Sequence, residues 1–231
     1  MGIREQRRSA VEAQIIRVAR DHLARHGAAA LSLRAIAREL GMVSSAIYRY
    51  VPSRDELLTR LIVHAYTTLG DAVIAAHQAV DATDLSARWD AIGRAVRDWA
   101  LANPHDFALV YGSPVPDYVA PPERTNDPGT TVLALLMGLL DDAHGQGRLR
   151  HSRAPDERLA SAAVDGFLRD PFFAGTVLDH SSVALGLSAW TLLLGAVTSE
   201  LFHQLGPVPD ARALFEWHLA RSREIFLAPS S

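Results

Sequence analysis

The chain has 231 residues, which is enough to bury a sizeable core, and it contains neither cysteine nor lysine. Without cysteine, disulfides and thiolate metal sites are excluded, and a reducing, cytoplasmic setting is expected. Without lysine there is no phosphate-loop lysine and no Schiff base, which excludes two kinds of enzyme site.

The formal net charge is only −3, but the charge is distributed unevenly. The first 60 residues hold eleven arginines against six acidic residues, whereas the remaining 171 hold twelve arginines against twenty. A basic segment before an acidic remainder is typical of a phosphate-binding head on a body that does not contact phosphate. Chance clustering on a solvated surface is the alternative, and the counts alone favour neither.

The first element is predicted over residues 9–26, where apolar side chains recur at intervals of three and four positions. Gly27 is expected to end this helix in a left-handed conformation. Ser32 then fits as the N-cap of a second helix over residues 33–40, which ends at Gly41. The chain should therefore begin with one long helix and one helix of about two turns.

A third, short helix is expected to begin at Ser44 and to end before Pro52, because a residue that precedes proline is disfavoured in helical geometry. The three residues before it, Gly-Met-Val, have the length of the turn in a helix-turn-helix pair. Ser53 begins a capping box, and a fourth helix should continue to about residue 78. Residues 9–51 are thus predicted to form a helix-turn-helix head.

The rest of the chain is also predicted to be helical. Amphipathic or apolar patterns indicate helices over residues 85–103, 105–111, 130–145, 155–168, 180–204 and 209–227. Residues 112–129 hold five of the twelve prolines and are predicted to form a loop. No segment alternates like a strand, so the predicted fold is all-α, with about nine to ten helices in a three-helix helix-turn-helix domain and a C-terminal bundle.

Residues 181–199 carry no charge, and this run is long enough to cross a membrane. We predict no membrane span, because the run contains Gly186, Gly195 and several hydroxyl side chains, stands alone and is followed by Glu200. A helix that is apolar all round also suits the core of an oligomer. Together with the last helix, residues 181–227 are predicted to form the face of a homodimer.

The third helix presents different side chains on its two sides when each residue is advanced by 100°. Val43, Ile47 and Val51 share one face and are predicted to anchor the helix to the core. Ser45 and Arg49 point directly away from it. The flanks carry Ser44, Tyr48, Ala46 and Tyr50.

The outward surface of this helix suits the major groove of DNA. Serine accepts either polarity of base pair, arginine can bridge O6 and N7 of guanine, and an alanine methyl can contact a thymine methyl. Tyrosine hydroxyls can donate to phosphates, and Arg54 at the start of the fourth helix can strengthen such a contact. The alternative is that Tyr48 and Tyr50 only cover the edge of a small core.

Residues 31–58, LSLRAIARELGMVSSAIYRYVPSRDELL, resemble the DNA-binding segment of the TetR family of bacterial transcriptional repressors. The resemblance covers roughly residues 10–60. It is carried by the Ile-Ala-x-x-Leu-Gly run, two aromatic residues, Pro-Ser, a basic residue and Leu-Leu. It implies that Arg34 reaches a base or phosphate, that the third helix lines the groove and that its flanks hold the backbone. The predicted DNA-binding set is Arg34, Ser44, Ser45, Ala46, Tyr48, Arg49, Tyr50 and Arg54.

Two positions depart from the family pattern. Residue 54 is usually lysine and is arginine here, which preserves the charge. Ala46 has no hydroxyl group, so a phosphate contact that some members make through this side chain is lost.

Residues 89–125 resemble the WHG-type C-terminal domain of a subset of these regulators, through Trp-x-x-aliphatic, Asn-Pro and Tyr-Gly-x-Pro-x-Pro-x-Tyr patterns. This resemblance implies an all-helical effector-binding and dimerisation domain that carries no reaction. The predicted domains are therefore residues 1–56 for DNA binding and residues 57–231 for effector binding and dimerisation.

The sequence contains no convincing catalytic or metal-binding motif. There is no cysteine nucleophile and no Gly-x-Ser-x-Gly elbow. His22 and His26 lie four residues apart, but no zincin glutamate accompanies them, so packing or surface polarity is the interpretation. We therefore predict no enzyme activity, no metal and no cofactor.

A ligand cavity is expected inside the helical body, lined mainly by aromatic side chains with a few polar contacts. Each candidate could equally be a core residue, since aromatic side chains at helical spacing also fill cores. The predicted effector pocket consists of Trp89, Trp99, His105, Phe107, Tyr111, Phe167, Phe172 and Trp190.

The whole sequence predicts a cytoplasmic, homodimeric, one-component transcriptional regulator that represses by binding a palindromic operator in double-stranded DNA. A small-molecule effector, which the sequence does not identify, would favour a form whose heads are wrongly spaced and so release the DNA. A helical small-molecule carrier or enzyme without specific DNA binding is the first alternative. An architectural DNA-binding protein without an effector is the second.

Overall fold

A computed structural model describes residues 2–150, 154–169, 173 and 175–229, and over these ranges the regular structure is helical. The chain forms α1 (Ile3–His26), α2 (Leu33–Glu39), α3 (Ser44–Ile47), α4 (Arg54–Gln78), α5 (Leu85–Ala102), α6 (Pro104–Tyr111), α7 (Pro122–Gly145), α8 (Ala154–Leu168), α9 (His180–Leu201) and α10 (Ala211–Phe226). A short 3-10 turn, Ala28–Ala30, follows α1. The prediction of an all-α fold with nine to ten helices is confirmed within the described ranges.

The chain divides into two compact units. The first consists of Met1–Leu69 with Ala102–Gly129, and the second of Gly70–Leu101 with Thr130–Ser231. Helices α4 and α7 contribute residues to both. The predicted boundary near residue 56 separates two functions, DNA binding and effector binding, rather than two compact units. It stays a prediction.

The core of the first unit joins α1, α2, α3 and the start of α4. Ile15 of α1, Ile36 of α2, Ile47 of α3 and Leu58 of α4 are completely buried in one apolar cluster. Burial of each such side chain contributes roughly 1.5–3 kcal/mol relative to exposure. A helix as short as α3 gains most of its stability from this packing rather than from its own hydrogen bonds.

The turn between α2 and α3 follows from its glycine. Ser32 caps α2 by accepting a hydrogen bond from Ala35 N–H (3.4 Å). At the other end Gly41 has φ 66°, a left-handed conformation that side chains with a Cβ disfavour. Bonds from Gly41 N–H to Arg38 O (3.1 Å) and from Met42 N–H to Ala37 O (2.8 Å) close the end of α2. These bonds turn the chain sharply into α3.

Two predicted boundaries are wrong. Helix α1 begins at Ile3 rather than near residue 9, because its first turns consist largely of straight-chain polar residues and are supported by an ion pair between Arg8 and Glu12 (3.0 Å). Helix α7 begins at Pro122, so the predicted loop over residues 112–129 ends early.

Proline is compatible with the start of α7 for two reasons. Pro122 occupies the first helical position, where an N–H would have no intrahelical partner. The first turn is also held by an ion pair between Arg124 and Glu56 of α4 (2.6 Å). Pro128 lies inside the helix, where it removes a single hydrogen bond.

The second unit is organised around buried polar contacts of α5. Trp89, which is only 1% exposed, donates from Nε1 to Ser222 Oγ of α10 (3.0 Å) and packs against Phe226. Buried Arg88 donates to Asp142 of α7 (2.7 Å) and to His77 Nε2 of α4 (3.0 Å). These contacts fix α5 against three other helices.

Helix α9 is apolar, and it packs against α8 and α10. In the described part of the chain it is the single helix long and apolar enough to cross a membrane, yet only 28% of its most apolar stretch is buried. One such helix is weak support for a membrane span. The same properties suit a surface that a second protein chain covers.

Candidate nucleic-acid interface

Helix α3 is attached to the core by one side and exposes the other. Ile47 and Val51 are completely buried, as predicted. Ser44, Ser45 and Arg49 are exposed on the remaining surface. Helix α3 thus exposes two hydroxyl groups and one guanidinium group on one side, while its other side is packed into the core.

The α-helix itself is only four residues long, but helical bonding continues beyond it. Val51 N–H donates to Ile47 O and Tyr50 N–H donates to the same oxygen, both at 2.9 Å. Pro52 then ends this geometry, as predicted.

Val43 was predicted to face the core and is instead 74% exposed. It is the N-cap of α3, with extended backbone angles (φ −62°, ψ 132°). The 100° rotation applies only inside a helix, so it does not extend to Val43. The correction adds one apolar side chain to the exposed surface around α3.

The two tyrosines of α3 differ in their surroundings. Tyr48 is 42% exposed. Tyr50 is half-buried and packs against the apolar cluster of the first unit. Ala46 is also half-buried. The alternative in which the tyrosines cover a small core therefore describes Tyr50 but not Tyr48.

Exposed arginines surround α3. Arg34 and Arg38 of α2 and Arg49 are all exposed, and none has a hydrogen-bond or ion-pair partner among the described residues. Arg38 was not in the predicted set. Its signal was present in the sequence, since it lies four residues after Arg34 and so on the same side of α2. Three unpaired guanidinium groups make this surface suitable for phosphate.

Arg54 has protein partners. Its Nη2 donates to the carbonyl oxygens of Ala28 (3.0 Å) and Ala29 (3.3 Å), and it joins the start of α4 to the turn after α1. The predicted phosphate contact of Arg54 stays a prediction. Ser53 caps α4 by accepting from Glu56 N–H (3.0 Å).

The other half of the predicted capping box is replaced by ion pairs. Glu56 binds Arg124 and Arg60, both at 2.6 Å. Arg124 is the main cause that holds the pKa of Glu56 below its ordinary value, so this carboxylate stays ionised. It joins α4 to α7 within the first unit.

The predicted effector residues are divided between the two units. His105, Phe107 and Tyr111 belong to the first, where Phe107 is completely buried and packs on Tyr111 at 5.1 Å. In the second unit Trp89 and Trp99 are buried, Trp190 is half-buried, and Phe167 stacks on Phe173 at 4.1 Å. Phe172 lies outside the described residues. The effector pocket stays a prediction.

Of the two predicted helix-one histidines, His22 is buried and His26 is exposed, with ring centroids 4.6 Å apart. Burial is the first cause of the lowered pKa of His22, followed by the positive field of His26. Of the two interpretations offered for these histidines, packing therefore fits His22.

A glycine turn between two helices, with the second helix exposed on a basic surface, defines a helix-turn-helix DNA-binding protein. Two family descriptions match the chain: "Bacterial regulatory proteins, tetR family" over residues 15–61 and "Tetracyclin repressor-like, C-terminal domain" over residues 89–222. The chain belongs to the TetR family of transcriptional regulators. This family is a non-enzymatic DNA-binding class, which confirms that the chain is not an enzyme.

Individual proteins support the same assignment. HTH-type transcriptional regulators of Mycobacterium tuberculosis (strain H37Rv) and Mycobacterium bovis are each 43% identical over 206 residues, covering 89% of this chain and 87% of theirs. The crystal structure of the regulatory protein SCO4313 is 31% identical with a TM-score of 0.77, covering 96% of this chain and 98% of that one. A tetR family regulator from Shewanella sp. PV-4 shares the fold, with 18% identity, a TM-score of 0.61 and coverage of 94% and 98%.

Proposed function

We propose that this regulator is a homodimeric repressor that binds a palindromic operator through α3 and is released by a small-molecule effector. The observation that carries the DNA-binding role is the two-sided character of α3. Ile47 and Val51 fix it to the core, while Ser45, Tyr48 and Arg49 are left exposed beside unpaired arginines. A surface of hydroxyls and guanidinium groups without internal partners is suited to base edges and phosphates.

Within this interface Arg49 is the proposed base-reading residue. Its side chain is exposed and unpaired among the described residues, and guanidinium can donate twice to guanine. Phosphate contacts are assigned to residues beside it. The full proposed set is Arg34, Ser44, Ser45, Ala46, Tyr48, Arg49, Tyr50 and Arg54.

Dimerisation is proposed through α9 and α10. A groove of about 350 Å³ lies between them, lined by Leu192, Gly195, Ala196, Leu214 and neighbouring residues. Trp217 of α10 is 58% exposed. A second copy would cover this apolar area, which also accounts for the poorly buried surface of α9 without a membrane. Two recognition helices would then be separated by about 34–36 Å, one turn of DNA.

The effector is proposed to bind in the helical body and to act by shifting the population of dimers. A ligand that binds one spacing of the heads more tightly lowers the fraction that fits the operator. A DNA-binding regulator of this class works in the cytoplasm. The predicted aromatic set remains the candidate lining.

The DNA-binding proposal is tested by selecting bound sequences from a random duplex library with the wild-type protein and with Arg49→Ala. We expect a palindromic consensus for the wild type and loss of about 1–3 kcal/mol of discrimination at one base pair per half-site for Arg49→Ala. Arg158→Ala, which removes an exposed arginine of α8, is the matched control.

The same experiment separates the alternatives. An unchanged consensus in Arg49→Ala removes the role given to that residue. No binding at low salt favours a carrier without DNA recognition, because the phosphate contribution is largest there.

A further inference from the structure

The segment after α7 is joined to the end of the chain. Gly147, with φ 65°, ends α7 through bonds from its own N–H to His144 O (2.9 Å) and from Arg148 N–H to Ala143 O (2.8 Å). The chain then forms an isolated antiparallel bridge between Leu149 and Leu227, directly after α10. Backbone hydrogen bonds of 2.8 and 2.9 Å flank this bridge. We call this short pairing the C-terminal clamp.

The clamp determines where two arginines lie. In extended backbone, successive side chains point to opposite sides. Leu149 is buried (7% exposed), as is its bridge partner Leu227 (4%). Arg148 and Arg150, on either side of Leu149, are therefore placed together on the opposite side.

A cavity of about 350 Å³ lies on that side of the clamp. It is lined by Arg148, Arg150, Arg223, Glu224 and Ser86, together with residues 227–229. The lining of the cavity thus contains three guanidinium groups and one hydroxyl group but a single carboxylate.

The carboxylates of Glu224, at this cavity, and of nearby Asp90 are both paired with other arginines, so neither neutralises Arg148 or Arg150. Arg223 is paired with both carboxylate oxygens of Asp90 (2.7 Å each), and Glu224 is paired with Arg221. Arg148 donates from Nη2 to Ala228 O (2.7 Å), and Arg150 donates weakly from Nε to Leu227 O (3.4 Å). Among the described residues no carboxylate binds Arg148 or Arg150, so two positive charges at the cavity are uncompensated.

One donor of this group is also unsatisfied. Nε of Arg148 is buried and has no hydrogen-bond partner among the residues that the structure describes. A buried donor without an acceptor costs about 1–3 kcal/mol, and most such groups in native proteins are paired. Within the described part of the chain, the C-terminal clamp therefore holds an arginine that lacks both a counter-charge and one acceptor.

We propose that this cavity binds a small organic oxyanion, a molecule whose carboxylate or phosphate group lies between Arg148 and Arg150. Two guanidinium groups on one side of a short extended segment can form several charge-assisted hydrogen bonds with such a group. The volume exceeds what a bare inorganic ion fills and falls within the range of small-molecule sites. This site is independent of the proposed DNA binding.

The test measures thermal unfolding of the full chain in inorganic phosphate, sodium acetate and sodium chloride at matched ionic strength and pH. A ligand that binds only the folded state raises the unfolding midpoint. We expect stabilisation by phosphate or by acetate beyond that by chloride. Because phosphate also stabilises folded proteins by exclusion and can bind the surface around α3, the part of each response that Arg150→Gln removes is the part assigned to this cavity. Such a response to phosphate alone assigns a phosphoryl ligand, and one to acetate alone or to both assigns a carboxylate-compatible site.

Arg150→Gln is the deciding variant, because Arg150 is exposed and its one weak hydrogen bond contributes little to folding. It should weaken anion binding about tenfold, as expected for the loss of one charged hydrogen-bond donor. Arg158→Gln removes an equal charge from α8 at a residue that does not line the cavity, and it should leave binding unchanged. Equal stabilisation by all three salts, or equal losses in both variants, would overturn the proposal.

Discussion

The surface around α3 and the surface of α9 and α10 are both left open by the fold, but they differ in chemistry. Around α3 the exposed groups are hydroxyls and unpaired guanidinium groups, with Val43 as an apolar addition. On α9 and α10 the fold leaves open a groove with a mainly apolar lining, and Trp217 of α10 is exposed. The first surface can be satisfied by a charged partner and the second by an apolar one.

This difference explains why the two surfaces have different sequence signals. A DNA-binding surface needs few side chains, so its signal is a short motif with fixed spacing. A dimer surface needs area, so its signal is a long run without charge. A buried charged group can instead be paired inside the protein: Arg88, for example, is buried with three partners, Asp142, Ala82 O and His77.

The largest effect is expected from placing a charge on the apolar surface. Gly195 of α9 is exposed, and a side chain built on it meets no atom within 4 Å, so Gly195→Arg should leave the folded monomer intact. At a dimer interface the same arginine would be buried without a partner, at a cost of several kcal/mol. Dimerisation and operator affinity should fall by about 100-fold or more.

Sedimentation equilibrium measures the dimer, and fluorescence anisotropy measures operator binding. Gly138→Arg is the control, since Gly138 is another exposed helical glycine with free space around it, on α7. If Gly195→Arg remains a dimer, α9 is not the interface and the comparison between the two surfaces fails.

A smaller effect is expected at Arg54, where the two functions of an arginine can be separated. Loss of its bonds to Ala28 and Ala29 should lower the free energy of unfolding by about 1–3 kcal/mol in Arg54→Ala. If Arg54 also binds phosphate, operator affinity falls for all sequences alike and the salt slope decreases by about one.

Denaturant unfolding and salt titration of DNA binding distinguish these contributions. Arg54→Lys keeps the charge and should retain most of the salt slope while losing part of the stability. An unchanged slope in Arg54→Ala, with reduced stability, would restrict this residue to positioning α4.

Much of the fold could be predicted because its signals are local. Ser32, Gly41 and Pro52 set the ends of α2 and α3 through capping, left-handed geometry and the restriction before proline. The inward positions Ile47 and Val51 follow from helical rotation. The family resemblance of residues 31–58 added the function that such a pair performs.

The wrong predictions arose where a contact between residues distant in sequence outweighed a local sequence signal. The prolines before and inside α7 were interpreted as loop signals, but an ion pair of Arg124 with Glu56, 68 residues earlier, stabilises the first turn. The role of Arg54 was hidden for a similar reason, since its carbonyl partners lie in the turn after α1. Val43 shows the complementary limit, because a helical wheel was continued one residue beyond the helix.

The smallest effect should distinguish the two tyrosines of α3. Tyr48→Phe removes only a hydroxyl from an exposed ring, so stability should not change, while DNA affinity should fall about fivefold for all sequences if this hydroxyl donates to phosphate. Tyr50→Phe should behave alike if its hydroxyl also reaches the backbone.

The alanine variants then separate binding from packing. Tyr50→Ala should cost stability, because the Tyr50 ring packs against the apolar cluster, whereas Tyr48→Ala should cost little. Urea unfolding measures the loss of stability, and fluorescence anisotropy measures the loss of DNA affinity. Equal stability losses in the two alanine variants would contradict the distinction between them. A loss of affinity confined to Tyr48→Phe would leave Tyr50 as a core residue that supports α3 without contacting DNA.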